Sequence, residues 1–447
     1  MTASRPTARR RIVGATLAAV LVLAACGGDD DDAGDAGDTP TEDESTADST
    51  ADDVTDEASD DMSDDASDDM SDDASDDMSD EPATTEEPTE EASGLPAGEY
   101  TIGFEALTSG PAAFAGVPLA NGANLAVKII NEEGLLGEGV TLRMDEEDAG
   151  GDAAKAIGIV EGFLSDDVSA VLCCALSSVA GSVKPILANA QTAGVVTSAI
   201  LPGLNEPPYM YRPVLLLGDP AYKEMIDGLN SDGSMSTGVI VVTADNDGMT
   251  NEGVIWADAF SGAGIEVLET VDTATGDTDF SGPATQIIDE NPDVVALSML
   301  GQEATLLAKA LRDRGYEGRL VTTYGISNAA NYEIGGDTLD GIIFPIAFTP
   351  QMTTPEAVAF TEAYEAEHGE VPDVFAAQGY TAVLVAAEGL RLAGTGDSEA
   401  VAQAMAGITE MTTPYGQIVF EDGQASLASP TTFMQWNADG SQTIWTP

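Results

Sequence analysis

Val168-Ser169-Ala170-Val171-Leu172-Cys173-Cys174-Ala175-Leu176 is an almost continuous apolar run of strand length. Ser177-Ser178 leads from it directly into 179–191, an Ala-rich amphipathic run. A strand without apolar–polar alternation is buried on both faces, as in a parallel sheet covered by helices. The same unit recurs on either side. Strand-like runs fall at 100–105, 140–144, 195–199, 238–243, 266–271, 294–299, 319–323 and 341–346. Helix-like runs fall at 118–131, 152–164, 220–229, 252–263, 281–291, 304–314, 355–368, 376–392 and 398–406. Strand–helix alternation of this kind predicts an α/β fold with parallel sheets and helices on both faces. Ligands of such sheets sit beyond the carboxyl ends of the strands, so the loops there carry the function. The 349 residues from Glu99 to Pro447 exceed what one core organises, and two lobes are expected.

Cys173 and Cys174 are adjacent and cannot staple distant parts of the chain. A bridge between them would close a strained eight-membered ring, so the expected role is that of two small buried hydrophobes.

The N-terminus is of another kind. Arg9, Arg10 and Arg11 precede the apolar run 12–23, which is shorter than the ~20 residues a free-standing membrane helix needs. A basic start, a short apolar stretch and small residues describe a secretory signal at 1–25. Leu23-Ala24-Ala25-Cys26-Gly27 resembles the lipobox of bacterial lipoproteins. The resemblance implies cleavage before Cys26, acylation of its thiol and an anchor on the extracytoplasmic face of the bacterial membrane. Two or more acyl chains hold where one does not. No run after the signal reads as a membrane span.

Residues 26–98 form an acidic tether. Between 29 and 93 there are 30 Asp or Glu, no aromatic residue and no Lys or Arg. Such a chain cannot bury enough apolar surface to offset its ordering entropy, and its like charges extend it. The remainder, without the signal arginines, still holds 49 acids against 11 bases. That balance argues against nucleic-acid binding and fits a salt-rich or alkaline habitat.

Catalytic inventories are poor. His368 is the only histidine, in Glu367-His368-Gly369, where it reads as the cationic end of a helix. No G-x-S-x-G elbow, phosphate-binding glycine loop or Cys–His zinc set is present, and no cofactor or metal is expected. The string Asp145-Glu146-Glu147-Asp148 reads as a solvated strand end, followed by Asp152 as a helix N-cap.

Several stretches together resemble the periplasmic-binding-protein type I family, in its branched-chain amino-acid (leucine–isoleucine–valine) receptor branch. Leu107-Thr108-Ser109-Gly110-Pro111 and Phe114-Ala115-Gly116 follow the first strand. Ile130-Asn131-Glu132-Glu133-Gly134-Leu135-Leu136-Gly137 is similar to the family's N-x-x-G-G-I-x-G. Asp279-Phe280, Pro372-Asp373, Phe375, Gly379-Tyr380 and Gly416-Gln417-Ile418-Val419-Phe420 follow in order. The resemblance implies two Rossmann-like lobes joined by three crossover strands, with the ligand in the cleft between them. Lobe one would be 99–217 plus 348–425, and lobe two 218–347 plus 426–447. The lobes would close on a small ligand, an amino acid or an amide-like compound. A membrane ABC permease would be the partner, and the chain itself would be no enzyme. A ligand-sensing lobe for a signalling partner and a secreted enzyme are the alternatives.

The resemblance also implies site residues. Ser178, with Ser177, would hold a carboxylate at a helix N-terminus, although plain helix capping explains the same pair. Ala199, with Ile200 or Leu201, stands at the second carboxylate position. Phe114 and Ala115 occupy the first loop. Phe375 is either a ligand contact or core. Tyr324 stands where the branch commonly has an acid for the ammonium, and Leu300 where a ligand-facing tyrosine is usual. Either Asp219 or Asp247 supplies the missing anion, or the ligand is an amide, a urea-like compound or a small carboxylate.

Overall fold

The structure is a computed structural model describing residues 94–447. The signal, Cys26 and nearly all of the 26–98 segment lie outside the described residues.

β1 (Gly98–Ala106), α1 (Ala113–Glu133), β2 (Val140–Asp148), α2 (Ala153–Ser165), β3 (Ala170–Cys173), α3 (Ser177–Asn189), β4 (Ala193–Val196) and β5 (Met210–Tyr211) build the first sheet. It is wholly parallel, with strand order β2-β1-β3-β4-β5. The chain then crosses over and repeats the pattern. α4 (Gly218–Leu229), β6 (Thr237–Thr243), α5 (Asp247–Gly262), β7 (Glu266–Thr273), α6 (Ser281–Glu290), β8 (Val294–Ser298), α7 (Gly301–Arg312), β9 (Arg319–Thr322), α8 (Ala330–Gly335) and β10 (Ile343–Ile346) follow. The parallel order β7-β6-β8-β9-β10 reproduces the first sheet strand for strand. The chain returns with α9 (Pro355–His368), α10 (Val374–Ala393), α11 (Ser398–Met405) and an antiparallel ribbon of β11 (Glu410–Thr413), β12 (Gly416–Glu421) and β13 (Gln424–Leu427). β14 (Thr432–Trp436) and β15 (Gln442–Trp445) finally add antiparallel to β10. Two α/β lobes result.

The central strands are apolar throughout because helices cover both faces. β3, β4, β8 and β10 are buried at every residue. α1 and α10 pack so closely that each needs a glycine at the contact. A Cβ on Gly122 would stand 1.9 Å from the Ala376 carbonyl oxygen, and one on Gly379 would stand 1.9 Å from that of Leu119. Against the sequence reading, α1 extends to 21 residues and is long and apolar enough to cross a membrane. Its buried face packs on α10.

The acidic string is the solvated end of a strand, as the sequence suggests, with Glu146 and Glu147 exposed, and the reading of the two cysteines changes. β2 continues through Asp145-Glu146-Glu147-Asp148, because parallel pairing with Gly103–Ala106 of β1 holds the string extended. Asp148 Oδ1 then accepts from the Thr108, Ser109 and Gly150 N–H groups at 2.8, 3.2 and 3.0 Å. Cys173 and Cys174 are joined as a disulfide rather than standing as two free thiols. Both remain fully buried at the end of β3. His368 ends α9, and Gly369 beyond it takes the left-handed cap at φ 73°.

Candidate ligand-binding cleft

In both sheets the strand order reverses beside the first strand, between β1 and β3 and between β6 and β8. Loops at the carboxyl ends near these points, one set from each sheet, line a single cavity of about 50 Å³. The first sheet contributes Leu107 after β1, residues 175–177 after β3, and Ser198 and Ile200 after β4. Phe114 and Ala115 come from the first turn of α1. The second sheet contributes Asn246 and Met249 at the start of α5, residues 299–301 after β8 and residues 323–325 after β9. Phe375, in the first turn of α10, completes the wall. None of the 18 lining residues is charged.

The cavity is small because the lobes touch across it. Tyr324 OH donates to the Ser198 carbonyl at 3.4 Å. Asn328 Nδ2 donates to the Phe114 carbonyl at 3.2 Å and to Asp373 Oδ2 at 2.7 Å. Phe375 packs at 6.0 Å from Phe114 and 5.7 Å from Tyr324, centroid to centroid, so three rings cover one side.

Polar groups are few and oriented. Ser177 is buried, and its Oγ accepts from the Leu201 N–H at 3.2 Å, which leaves the hydroxyl proton to donate. α3 begins at Ser177 with no side-chain cap, and α7 begins at Gly301 with none. Unsatisfied N–H groups at a helix start carry partial positive charge and favour an anion. One such start comes from each lobe. The start of α5 differs, because Asn246 Oδ1 already accepts from Gly248 and Met249.

The structure brings Ser177, Ile200, Phe114, Ala115, Leu300, Tyr324 and Phe375 together on the cavity wall. Ser178 is one residue further into α3 and does not line it. Ala199 is buried behind the wall, its N–H donating to the Cys174 carbonyl at 3.2 Å. Leu201 reaches the site only through its N–H on Ser177. Asp219 and Asp247 are exposed in the first turns of α4 and α5, outside the lining.

Sequence reasoning missed Ser198, Asn246, Met299 and Thr323, all within a few residues of a strand's carboxyl end. Placement alone flags them; residue type does not. It also missed Arg212, which is 1% exposed. The Arg212 guanidinium donates to the Leu201 carbonyl and to Gln424 Oε1, and burial pushes its pKa down to about 10. It joins the loop after β4 to the start of β13.

The buried carboxylates nearby face other partners. Glu252 Oε2 accepts from Tyr222 OH. Glu303 accepts from Gly276 N at 2.6 Å and Thr243 Oγ1 at 3.2 Å. Asp373 accepts from Ala376 N at 2.9 Å besides Asn328. Desolvation raises all three, Glu252 and Glu303 to about 7 and Asp373 to about 6. A second cavity of about 620 Å³ lies beyond Asn328, walled by Asp373, Glu370 and the crossover at 348–351.

The periplasmic binding protein family model matches residues 99–441. The chain belongs to the periplasmic binding protein family. The Leu/Ile/Val-binding protein BraC3 of Rhizobium johnstonii is 28% identical over 347 residues, covering 76% of this chain and 92% of that protein. A Leu/Ile/Val-binding protein homologue of Brucella melitensis is also 28% identical, with 74% and 90% covered. Among solved structures, the branched-chain amino-acid transporter substrate-binding protein LivJ of Streptococcus pneumoniae, in complex with isoleucine, superposes with TM-score 0.70 at 22% identity. It covers 78% of this chain and 100% of its own. A solute-binding protein of an ABC transporter from R. palustris, in complex with benzoate, superposes with TM-score 0.69 at 20% identity, covering 78% and 95%. The fold is therefore the two-lobed one of periplasmic binding proteins, and the relatives are solute-binding proteins rather than enzymes.

Proposed function

We propose that the protein is the extracytoplasmic receptor of an ABC importer, capturing a branched-chain amino acid or a related small apolar carboxylate by closure of its lobes. One observation carries this reading. A single uncharged cavity lies between the carboxyl ends of two matching sheets, with Ser177 and the uncapped starts of α3 and α7 aimed at it. The ligands named for the relatives and structural neighbours, Leu, Ile, Val and benzoate, share an apolar body and a carboxylate and differ in the amine.

The lobe limits proposed are 99–217 with 348–425, and 218–347 with 426–447. A membrane permease is the partner, and the receptor performs no chemistry of its own. Acylation of Cys26 holds the chain on the extracytoplasmic face, and the acidic segment behind it gives the receptor reach.

A thermal-shift screen over amino acids, amides, urea and aromatic acids tests the proposal. A ligand at 100 times its dissociation constant should add ~2.7 kcal/mol of stability. A screen in which no small solute moves the transition would refute it.

A further inference from the structure

We infer that the ligand is a carboxylate with an apolar body and no free ammonium group. The inference rests on the receptor reading and narrows it.

An ammonium taken out of water needs an anion or a full set of acceptors. No lining residue is an Asp or Glu. Tyr324 stands in the lining, with its hydroxyl already engaged by the Ser198 carbonyl and Gln378 Nε2. Glu252, Glu303 and Asp373 each have donors of their own and lie outside the lining. Asp219 and Asp247 are exposed and also outside it. The aromatic faces offer only cation–π contact, which is weaker than an ion pair and opposed here by two helix starts of the same sign.

The positive side is as well provided as the negative side is bare. The starts of α3 and α7, one from each lobe, have no side-chain cap, and Glu303 in the first turn of α7 is already engaged by Gly276 N and Thr243 Oγ1. Behind them Arg212 is buried, and among the described residues its guanidinium has no carboxylate partner and is held by the Leu201 carbonyl and Gln424. Leu201 is itself bonded to Ser177 Oγ. A buried cation thus stands two links from the hydroxyl that meets the ligand. A carboxylate in the cavity completes this arrangement, and an ammonium beside it finds no acceptor of opposite charge.

Calorimetric titration of the purified chain with matched pairs tests the inference. The pairs are leucine and 4-methylpentanoate, valine and 3-methylbutanoate, and phenylalanine and 3-phenylpropanoate, with 4-methylpentanamide as the neutral control. Within at least one pair the deaminated acid is expected to bind tenfold or more tighter than its amino acid, and the amide tenfold or more weaker than the acid. Amino acids binding as tightly as their deaminated partners would overturn the inference and leave the receptor reading standing. Amide binding equal to the acid would overturn the anionic requirement. Binding by no member of any pair would remove the small-carboxylate reading and this inference with it.

Discussion

Gly248 of one lobe packs onto the Ser177 hydroxyl of the other: a Cβ on Gly248 would stand 2.5 Å from Ser177 Oγ and 3.1 Å from Ile200. The contact joins the first turn of α5 to the first turn of α3 across the cleft, so it exists only while the lobes are together. Gly248→Ala should therefore hold the cleft partly open. The expected result is at least a tenfold loss of ligand affinity by calorimetry, with the melting temperature of the free protein changed by no more than ~2 °C. Unchanged affinity would show that closure does not need this contact.

Ser177 and Ser178 are adjacent but face different surroundings, and only Ser177 lines the cavity. A hydroxyl donating to a carboxylate contributes ~1.5–3 kcal/mol. Ser177→Ala should thus weaken binding by roughly ten- to a hundredfold, whereas Ser178→Ala keeps the backbone N–H and should stay within about threefold. A larger loss from Ser178→Ala would reverse the assignment.

The α1–α10 contact makes a stability prediction. Gly379→Ala puts a methyl group on the Leu119 carbonyl oxygen, where neither backbone can withdraw without shifting a helix. A cost of at least ~2 kcal/mol is expected from chemical denaturation. Gly158→Ala in α2 meets nothing within 4 Å and should stabilise by ~0.5–1 kcal/mol. Equal effects of the two would contradict the packing account.

Stability should also fall as pH rises. Burial, and then the neighbouring charge of Asp148, raises Glu105 from 4.5 to about 8. The folded state therefore holds a proton that the unfolded state releases between those values. Stability contributed by this group is complete below pH ~4.5 and declines as pH climbs to about 8. The ceiling for one such group is ~5 kcal/mol. Glu252 and Glu303, raised to about 7, act in the same direction. Melting temperatures from pH 5 to 8 should decline for the parent and decline less for Glu105→Gln. Parallel slopes would discount Glu105.

Much of the fold is legible in the sequence, because strands buried on both faces advertise themselves as apolar runs. β3, β8 and β10 are of this kind. The elements that stayed hidden are short or two-sided. β5 is two residues long, and β11–β13 form an exposed ribbon whose polar and apolar residues do not sort cleanly. β14 and β15 pair antiparallel at a sheet edge, outside the strand–helix rhythm. The site was half legible. The loops were identified because strand ends define them, and Ser177, Phe114 and Tyr324 fell in them. Which face each loop residue turns was not, since Ser178 looks as suitable as Ser177 until helix phase is known. Asp219 and Asp247 carried the right charge at the right place in the chain and point to solvent. Arg212 gave no signal, because its partners are a carbonyl 11 residues away and a glutamine 212 residues away.

Capture by closure is tested most directly by the distance between the lobes. Leu135 and Val254 are exposed, one in each lobe, and accept probes as Leu135→Cys and Val254→Cys. Titration with the ligand that binds in the calorimeter should shorten the interprobe distance, saturate at one ligand per chain, and give the calorimetric dissociation constant. A distance that stays constant while ligand binds would contradict the account.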